Sequence, residues 1–485
     1  MDGEGALPAL GAVAEAAAEL LGGDGGSVPA YEGLLDAVVR WCGRDRAALG
    51  AALRPVLEPY GHFRPRSEAG RRLLAVMRSA AGPVEAERPA GDGGRRWLET
   101  CQHEAVHLVL GSRTGELCVR LRAGERLPML LAAPSRASGA VDPYDLVMRL
   151  TEYEQSGVRP GPADLGQALL RCGGGGGGGG GPADPDVVRA AAELTIPEGA
   201  RVAEWLRAGG LPQPGGTREQ EPGMPERPSR RRGARVGRRV LVGTEALDGR
   251  GEFPRTFWPL FRRFEPLIGC NHLLLGHRER HAAAVLPWHP EIVAARLLTE
   301  VAATADQDGT GGPQFLPALA GSEGPTGPAV HLALAYGLAA GHEADREAAV
   351  RALLMLAARD RLDGALLGRE LAALVQLGTL KLPVVTSSLG AAAGARGGAG
   401  AVAGARGGAA AVWPVLAAAL PPLLAALRTG ALSRPHPALL TLAADCAQAC
   451  TARGSLPEVT ALAQRPGSGQ STREARRLRD VLAGA

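Results

Sequence analysis

The sequence predicts an all-α chain built as an α-solenoid, and three observations lead there. Apolar residues recur at i, i+3 and i+4 through almost every segment that is not rich in Gly or Pro. Aromatic residues make up only 4% of the chain while the apolar fraction is 45%, so a core must be packed through Leu, Ala and Val, which suits helices better than β-sandwiches. The C-terminal half divides into amphipathic stretches joined by short Gly- or Pro-containing turns, and such helices bury their stripes only against neighbours. At 485 residues the chain is also too long for one compact core, so two or three domains or one extended array is expected.

Taken in order, GALPALGAVAEAAAELL near the N-terminus carries Glu15 and Glu19, and Asp2 and Glu4 stand where a secretory signal would be positive. No run of eighteen uninterrupted apolar residues occurs, so neither secretion nor a membrane span is expected. Leu34, Leu35, Val38, Val39 and Cys42 form a helical stripe, and a second helix from Arg44 to Leu53 stops before Pro55. LPMLLAAPS at 127–135 is the best candidate for an extended segment, with a loop as the alternative. Asp142 and Pro143 open a helix through Leu146, Val147, Leu150 and Tyr153, the Asp as N-cap and the Pro in the first turn.

Three low-complexity stretches interrupt the pattern: nine glycines at 173–181, a Pro/Gly/Arg-rich stretch from Gly209 to Arg239, and a Gly/Ala segment at 390–411. The first two read as flexible linkers or loops. In the third, Ala favours helix and Gly opposes it, so helix and disorder both stay open. Beyond them come helices from Pro328 to Ala340, Arg346 to Arg359, Asp363 (as cap) through Val375, Lys381 onward, Val412 to Leu427, Pro437 to Cys450, Pro457 to Gln464 and Thr472 to Leu482. With no fixed repeat motif, a degenerate HEAT- or armadillo-like array of helix pairs is the nearest description. The expected division is a helical domain at 1–172, a Gly-rich and Arg/Pro-rich linker region with one or two short helices at 173–250, and a helical-repeat domain at 251–485.

One Lys, one Asn and three Ile stand against abundant Arg, Ala, Gly and Pro, as codon pressure from a GC-rich genome would produce. Arg has replaced Lys, and a net charge of +4 is close to balanced, which speaks against nucleic acid as the main partner. Seven scattered cysteines without CxxC spacing point to reduced thiols and a cytoplasmic location.

Segments 130–171 (LLAAPSRASGAVDPYDLVMRLTEYEQSGVRPGPADLGQALLR), 285–309 (VLPWHPEIVAARLLTEVAATADQDG), 327–381 and the tail from Cys450 to Leu478 resemble an uncharacterised family of large helical-repeat proteins from high-GC bacteria. The resemblance covers about half of the chain and is most specific over 327–381. It implies helical-repeat architecture, a cytosolic setting and no catalytic residues to carry over. The nine-glycine insert and the segment at 390–411 depart from the family's pattern.

The one catalytic signature is CQHEAVHLVLG at 101–111, where His103, Glu104 and His107 have the His-Glu-x-x-His spacing that puts two imidazoles on one helical face with a Glu to polarise a zinc-bound water. The extended form of the motif fails, because Leu110 and Arg113 stand at its Gly and third His. Glu152 on the next helix is the one candidate third ligand. At about 100° per residue, Leu98, Cys101, Ala105, Leu108 and Val109 form an apolar stripe and the histidines fall roughly opposite it, so a solvated helix is expected in preference to a zinc site.

Cys270, His272, His277, His281 and His289 form a second cluster, read as buried or capping histidines, with His289 in a turn between Pro287 and Pro290. Cys446 and Cys450, one helical turn apart, read as core-facing thiols, and Asp306-Gln307-Asp308-Gly309 as a helix end lacking the rest of a calcium loop. The basic run RPSRRRGARVGRR at 227–239 has no interleaved aromatics and reads as a solvated loop rather than a phosphate contact. The nine glycines lack the Lys-Ser/Thr of a phosphate loop.

The expectation is therefore a non-catalytic cytoplasmic scaffold that binds another protein, with nucleic acid unlikely as a partner, no membrane and no cofactor. The alternatives are a zinc-dependent hydrolase at 103–107 and nucleic-acid binding through 227–239.

Overall fold

The structure is a computed structural model, and it describes residues 7–23, 26–84, 105–173, 181–221, 238–266, 281–306, 309–395, 407–428 and 436–484. The fold is all-α apart from one small sheet. Its helices are α1 (Leu10–Gly22), α2 (Val28–Leu57), α3 (Glu68–Ala81), α4 (Ala105–Arg122), α5 (Pro143–Ser156), α6 (Pro162–Arg171), α7 (Pro185–Glu193) and α8 (Pro197–Ala208), followed by the strands β1 (Gly216–Glu221) and β2 (Arg239–Thr244). Then come α9 (Trp258–Phe261), α10 (Pro290–Asp306), α11 (Leu316–Ala320), α12 (Pro328–Leu338), α13 (Glu343–Ala358), α14 (Gly364–Gln376), α15 (Leu382–Gly394), α16 (Gly407–Arg428), α17 (Pro437–Ala449), α18 (Pro457–Ala463) and α19 (Gln470–Ala483).

Local chemistry sets most of these boundaries. Asp142 accepts from Tyr144 N and Asp363 from Leu366 N, both as N-caps, and among the described residues eight α-helices begin on a Pro: α5, α6, α7, α8, α10, α12, α17 and α18. The expected break between two helices near residue 44 is a kink at Asp45 (φ −152°, ψ 88°), whose carboxylate accepts from Ala48 N at 2.9 Å. The second half then runs on through Pro55 to Leu57. Pro55 and Ala51 lie on the exposed face, so the carbonyl that loses its helical donor is open to water.

From α10 onward each helix packs on its second neighbour. The even-numbered helices stack α10 on α12, α12 on α14, α14 on α16 and α16 on α18, and the odd-numbered ones α11 on α13, α13 on α15, α15 on α17 and α17 on α19. Two layers result. Where α14 meets α16 the backbones come close, because Gly364 and Gly368 face Pro414 and Val415; a Cβ at Gly368 would lie 2.3 Å from the Val415 carbonyl oxygen.

Two apolar cores are present among the described residues. The smaller one gathers α1, α2 and α3 with Leu117, Cys118 and Leu121 of α4. The larger one takes Ala105, Val106, Val109 and Leu110 of the same helix and continues through all the later α-helices and β2 to Leu482. One helix is thus a wall of both.

Several expectations need correction. Residues 173–250 hold the two short helices expected there, α7 and α8, but also β1 and β2, and Val188, Val202, Trp205, Leu206, Val240, Leu241 and Val242 are buried in the larger core. The strands pair antiparallel with Gly216 opposite Thr244. β2, RVLVGT, is buried on both faces, so it shows no alternation to mark it as a strand. LPMLLAAPS is a buried loop without strand pairing. Residues 396–406 lie outside the described residues; on either side the Gly/Ala segment is helical to Gly394 and again from Gly407.

One described helix, α16, is long and apolar enough to cross a membrane, with mean hydropathy 1.9 over its apolar window. Gly and Pro interrupt its sequence but carry no charge, which is why a count of uninterrupted apolar residues passes over it. In the structure it packs against α14, α15 and α17, burying Val412, Val415, Leu416 and Leu420.

Candidate functional site

His103 and Glu104 lie outside the described residues, but the helix that follows them can be placed. α4 does not have the expected solvent face at its start: Ala105, Val106, Leu108, Val109 and Leu110 are all buried, and His107 is half-buried among them. Glu152 is exposed on α5. Among the described residues no group of three or more His, Cys, Asp or Glu is placed to hold a metal. Ala105, Leu108 and Val109 of the expected stripe are buried, and Val106 and Leu110 on either side of His107 are buried as well.

Arg113 lies further along the same helix. It follows Val106, Val109 and Leu110 and precedes Leu117 on the inward face, and it is only 3% exposed. Its Nη1 donates to both carboxylate oxygens of Glu32 on α2, at 2.9 and 2.7 Å, and its Nε donates to Asp164 Oδ1 on α6 at 2.7 Å. Arg171, one helical face along α6, donates from Nη2 to Glu32 Oε1 at 2.7 Å, from Nη1 to Ala132 O at 2.5 Å and from Nε to Ala284 O at 2.8 Å. Two buried guanidinium groups and two buried carboxylates therefore balance.

The electrostatics follow from that geometry. Burial pushes the Glu32 carboxyl up, but the cations of Arg113 and Arg171 outweigh it and hold the group at about 2. Burial opposes the charge on Arg113, yet Glu32 and Asp164 together raise its pKa above the ordinary arginine value. Arg171 has one carboxylate partner and a neighbouring cation, and burial leaves it below that value.

The same residues settle the buried loop, whose backbone has no ladder to satisfy it. Leu131 N donates to Asp164 Oδ2 and Leu130 N to Asp36, while Tyr153 donates to Met129 O and Arg149 to the carbonyls of Leu131 and Ala133. Glu116, three residues after Arg113, accepts from Ala163 N and Asp164 N and so caps α6 from outside. Gly161 makes room for it: a Cβ there would strike the Glu116 carboxylate. Burial raises the carboxyls of both Asp36 and Glu116.

Those of the other sequence candidates that are described lie in packed surroundings. Cys270, His272 and His277 lie outside the described residues. His281 is buried beside Tyr31, its Nε2 3.2 Å from Gly26 O. His289 is buried in the expected turn, with Nε2 3.0 Å from Leu211 O; a carbonyl only accepts, so Nε2 carries the hydrogen, and Nδ1 is buried without a hydrogen-bond partner among the described residues. Burial lowers its pKa to about 4. Cys172, Gly173, Trp205, Gln213, Trp288 and His289 line a cleft beside it with room for about one water. Cys446 faces the core as expected, whereas Cys450 caps α17 half-exposed.

Of the basic run, residues up to 237 lie outside the described residues. Its last member is no phosphate contact: Arg239 is buried, and it binds Asp306 at two points, 2.7 and 2.6 Å. That pair ties β2 to the end of α10, where the calcium-like sequence begins, and Tyr336 exchanges hydrogen bonds with both backbone groups of Val240.

Sequence reasoning missed Glu32, Arg113, Asp164, Arg171 and Arg239. A signal existed for the first four: each falls at i, i+3 or i+4 from buried apolar residues of its own helix, where a charge must find a partner. What the network can do chemically is hold. Its groups bond one another and backbone carbonyls and form no open cleft.

Residues 31–174 match a family described as a domain of unknown function, DUF7824. Glu32, Asp36, Arg113, Glu116, Asp164 and Arg171 all fall inside the match. No curated protein and no solved structure matches the chain.

Proposed function

We propose, with the match to a domain of unknown function at 31–174 as the premise, that this chain is a non-catalytic cytoplasmic scaffold: a degenerate HEAT- or armadillo-like α-solenoid that presents a helical surface to another protein. The observation that carries the reading is the alternation of layers from α10 to α19, even helices on even and odd on odd. Stacked helix pairs give that pattern, since each pair buries its apolar stripe on the next and leaves an extended outer surface. The buried charges support it in a second way. Groups that could have served as acids or bases are bonded to one another, as in a rigid frame.

The test is purification of the full chain from its native host under gentle conditions, with cross-linking and mass measurement of the complex. A protein partner in fixed stoichiometry, cross-linked to exposed residues of α10–α19, is expected. Recovery of the chain alone, with turnover of a hydrolase substrate that is lost in Glu104→Gln, would replace the scaffold reading with the catalytic one.

A further inference from the structure

Phe63 is the most exposed large apolar side chain among the described residues, at 70%. It lies in the segment 62–66 between the 3-10 turn Glu58–Gly61 and α3, and its neighbours His62, Arg64 and Arg66 are exposed too.

This exposure is built in, because the loop is pinned on both sides of the ring. Arg78 of α3 donates to Tyr60 O at 2.6 Å, and Arg71 donates to the carbonyls of Pro65 at 3.3 Å and Arg66 at 3.2 Å. Pro65 is buried and seated against Gly70, where a Cβ would come within 2.8 Å of the proline ring. Ser67 then caps α3 through Gly70 N. A fixed backbone thus holds a phenyl ring out in water.

The surroundings are basic. Between residues 58 and 78 five arginines face two glutamates, and one of those glutamates, Glu68, is already paired with Arg71. Neither Arg64 nor Arg66 has a carboxylate partner among the described residues.

We propose that the loop at 61–66 is a peripheral contact for an anionic phospholipid surface, Phe63 entering the interface while Arg64 and Arg66 meet lipid phosphates. A ring raised on a convex turn and flanked by cations matches the amphipathic boundary of a bilayer. Nucleic-acid strands are held instead along a groove with several stacking rings, and here there is one. The proposal goes beyond the scaffold reading and is independent of any membrane span, since a protein can lie on a membrane without crossing it.

The experiment is co-sedimentation of the full chain with vesicles of phosphatidylcholine alone or mixed with phosphatidylserine. Binding to the anionic vesicles only is expected, weakened by salt and reduced about fivefold by each of Arg64→Ala and Arg66→Ala. Phe63→Ala should weaken it as well, and all three variants should melt like the parent because the side chains are exposed. Absence of binding to anionic vesicles would overturn the proposal, as would variants that sediment like the parent. Preferential binding of a single-stranded oligonucleotide through the same three residues would assign the loop to nucleic acid instead.

Discussion

Arg113 reaches Glu32 through a single nitrogen, Nη1, that donates to both oxygens of the carboxylate, across the seam where α4 passes from the larger core into the smaller one. The pair is out of water on both sides. Removing one partner leaves the other charged and buried, which costs far more than the pair itself contributes. Arg113→Ala should destabilise the chain by about 3–5 kcal/mol in denaturant titration. Arg113→Met combined with Asp164→Asn should recover part of that loss, since Glu32 keeps Arg171 and no carboxylate is left without a cation, and a double variant no more stable than Arg113→Ala would show that Arg113 acts otherwise.

Acid should unfold the protein in two separable windows. The imidazole of His289 lies in the folded state at about 4, below its ordinary 6.5, so the unfolded chain takes up that proton first. Its contribution is complete above pH 6.5 and is lost as pH falls from 6.5 to about 4, on the order of 3 kcal/mol. His289→Phe should flatten stability across this upper window.

Glu32 acts lower. Its folded value of about 2 lies below the ordinary 4.5, so its contribution is present above pH 4.5 and disappears as pH falls from 4.5 toward 2. Asp36 and Glu116 oppose it, since their raised values make protonation favour the folded state. Stability measured from pH 5 to 2 in Asp36→Asn should therefore fall more steeply than in the parent.

Arg239 and Asp306 fasten the β-hairpin to α10. Arg239→Met should expose the unpaired Asp306 carboxylate and loosen β2, raising amide hydrogen exchange at Val240, Leu241 and Val242 by more than tenfold, the equivalent of about 1.4 kcal/mol. Unchanged exchange there would mean that Tyr336 alone secures the strand.

Two glycine substitutions should have opposite signs. At Gly368 a Cβ would press on the Val415 carbonyl and on Ala418, so Gly368→Ala should cost about 1–3 kcal/mol by overpacking α14 against α16. Gly390 lies inside α15 with nothing within 4 Å of an added Cβ, and Gly390→Ala should stabilise by about 0.4–1 kcal/mol. Thermal melts of the two variants read both signs directly.

The helices of the C-terminal half were legible because caps and turns are local: Asp363, Pro437 and Pro457 each act within a few residues. The hairpin was not legible, since β2 has apolar residues on both faces and its partner lies beyond a low-complexity stretch. At the candidate site His103, Glu104 and His107 drew attention through spacing, while Arg113, six residues past His107, entered only as the residue standing where the extended motif has its third His. Its true position depends on Glu32 and Asp164, both far from it in sequence, and pairing at that range leaves no periodic mark.

The sharing of α4 between two cores has a further consequence for how this chain comes apart. Opening either core strips a wall from the other, so the segments before and after α4 should unfold as one cooperative unit. The recurring sequence at 31–174 does not coincide with that unit. It begins inside α2 and leaves out α1, which completes the smaller core, and it ends just after Arg171, whose guanidinium is held by a carbonyl more than a hundred residues later. The matched segment is, in this molecule, packed on α1 at one end and bonded to the Ala284 carbonyl at the other.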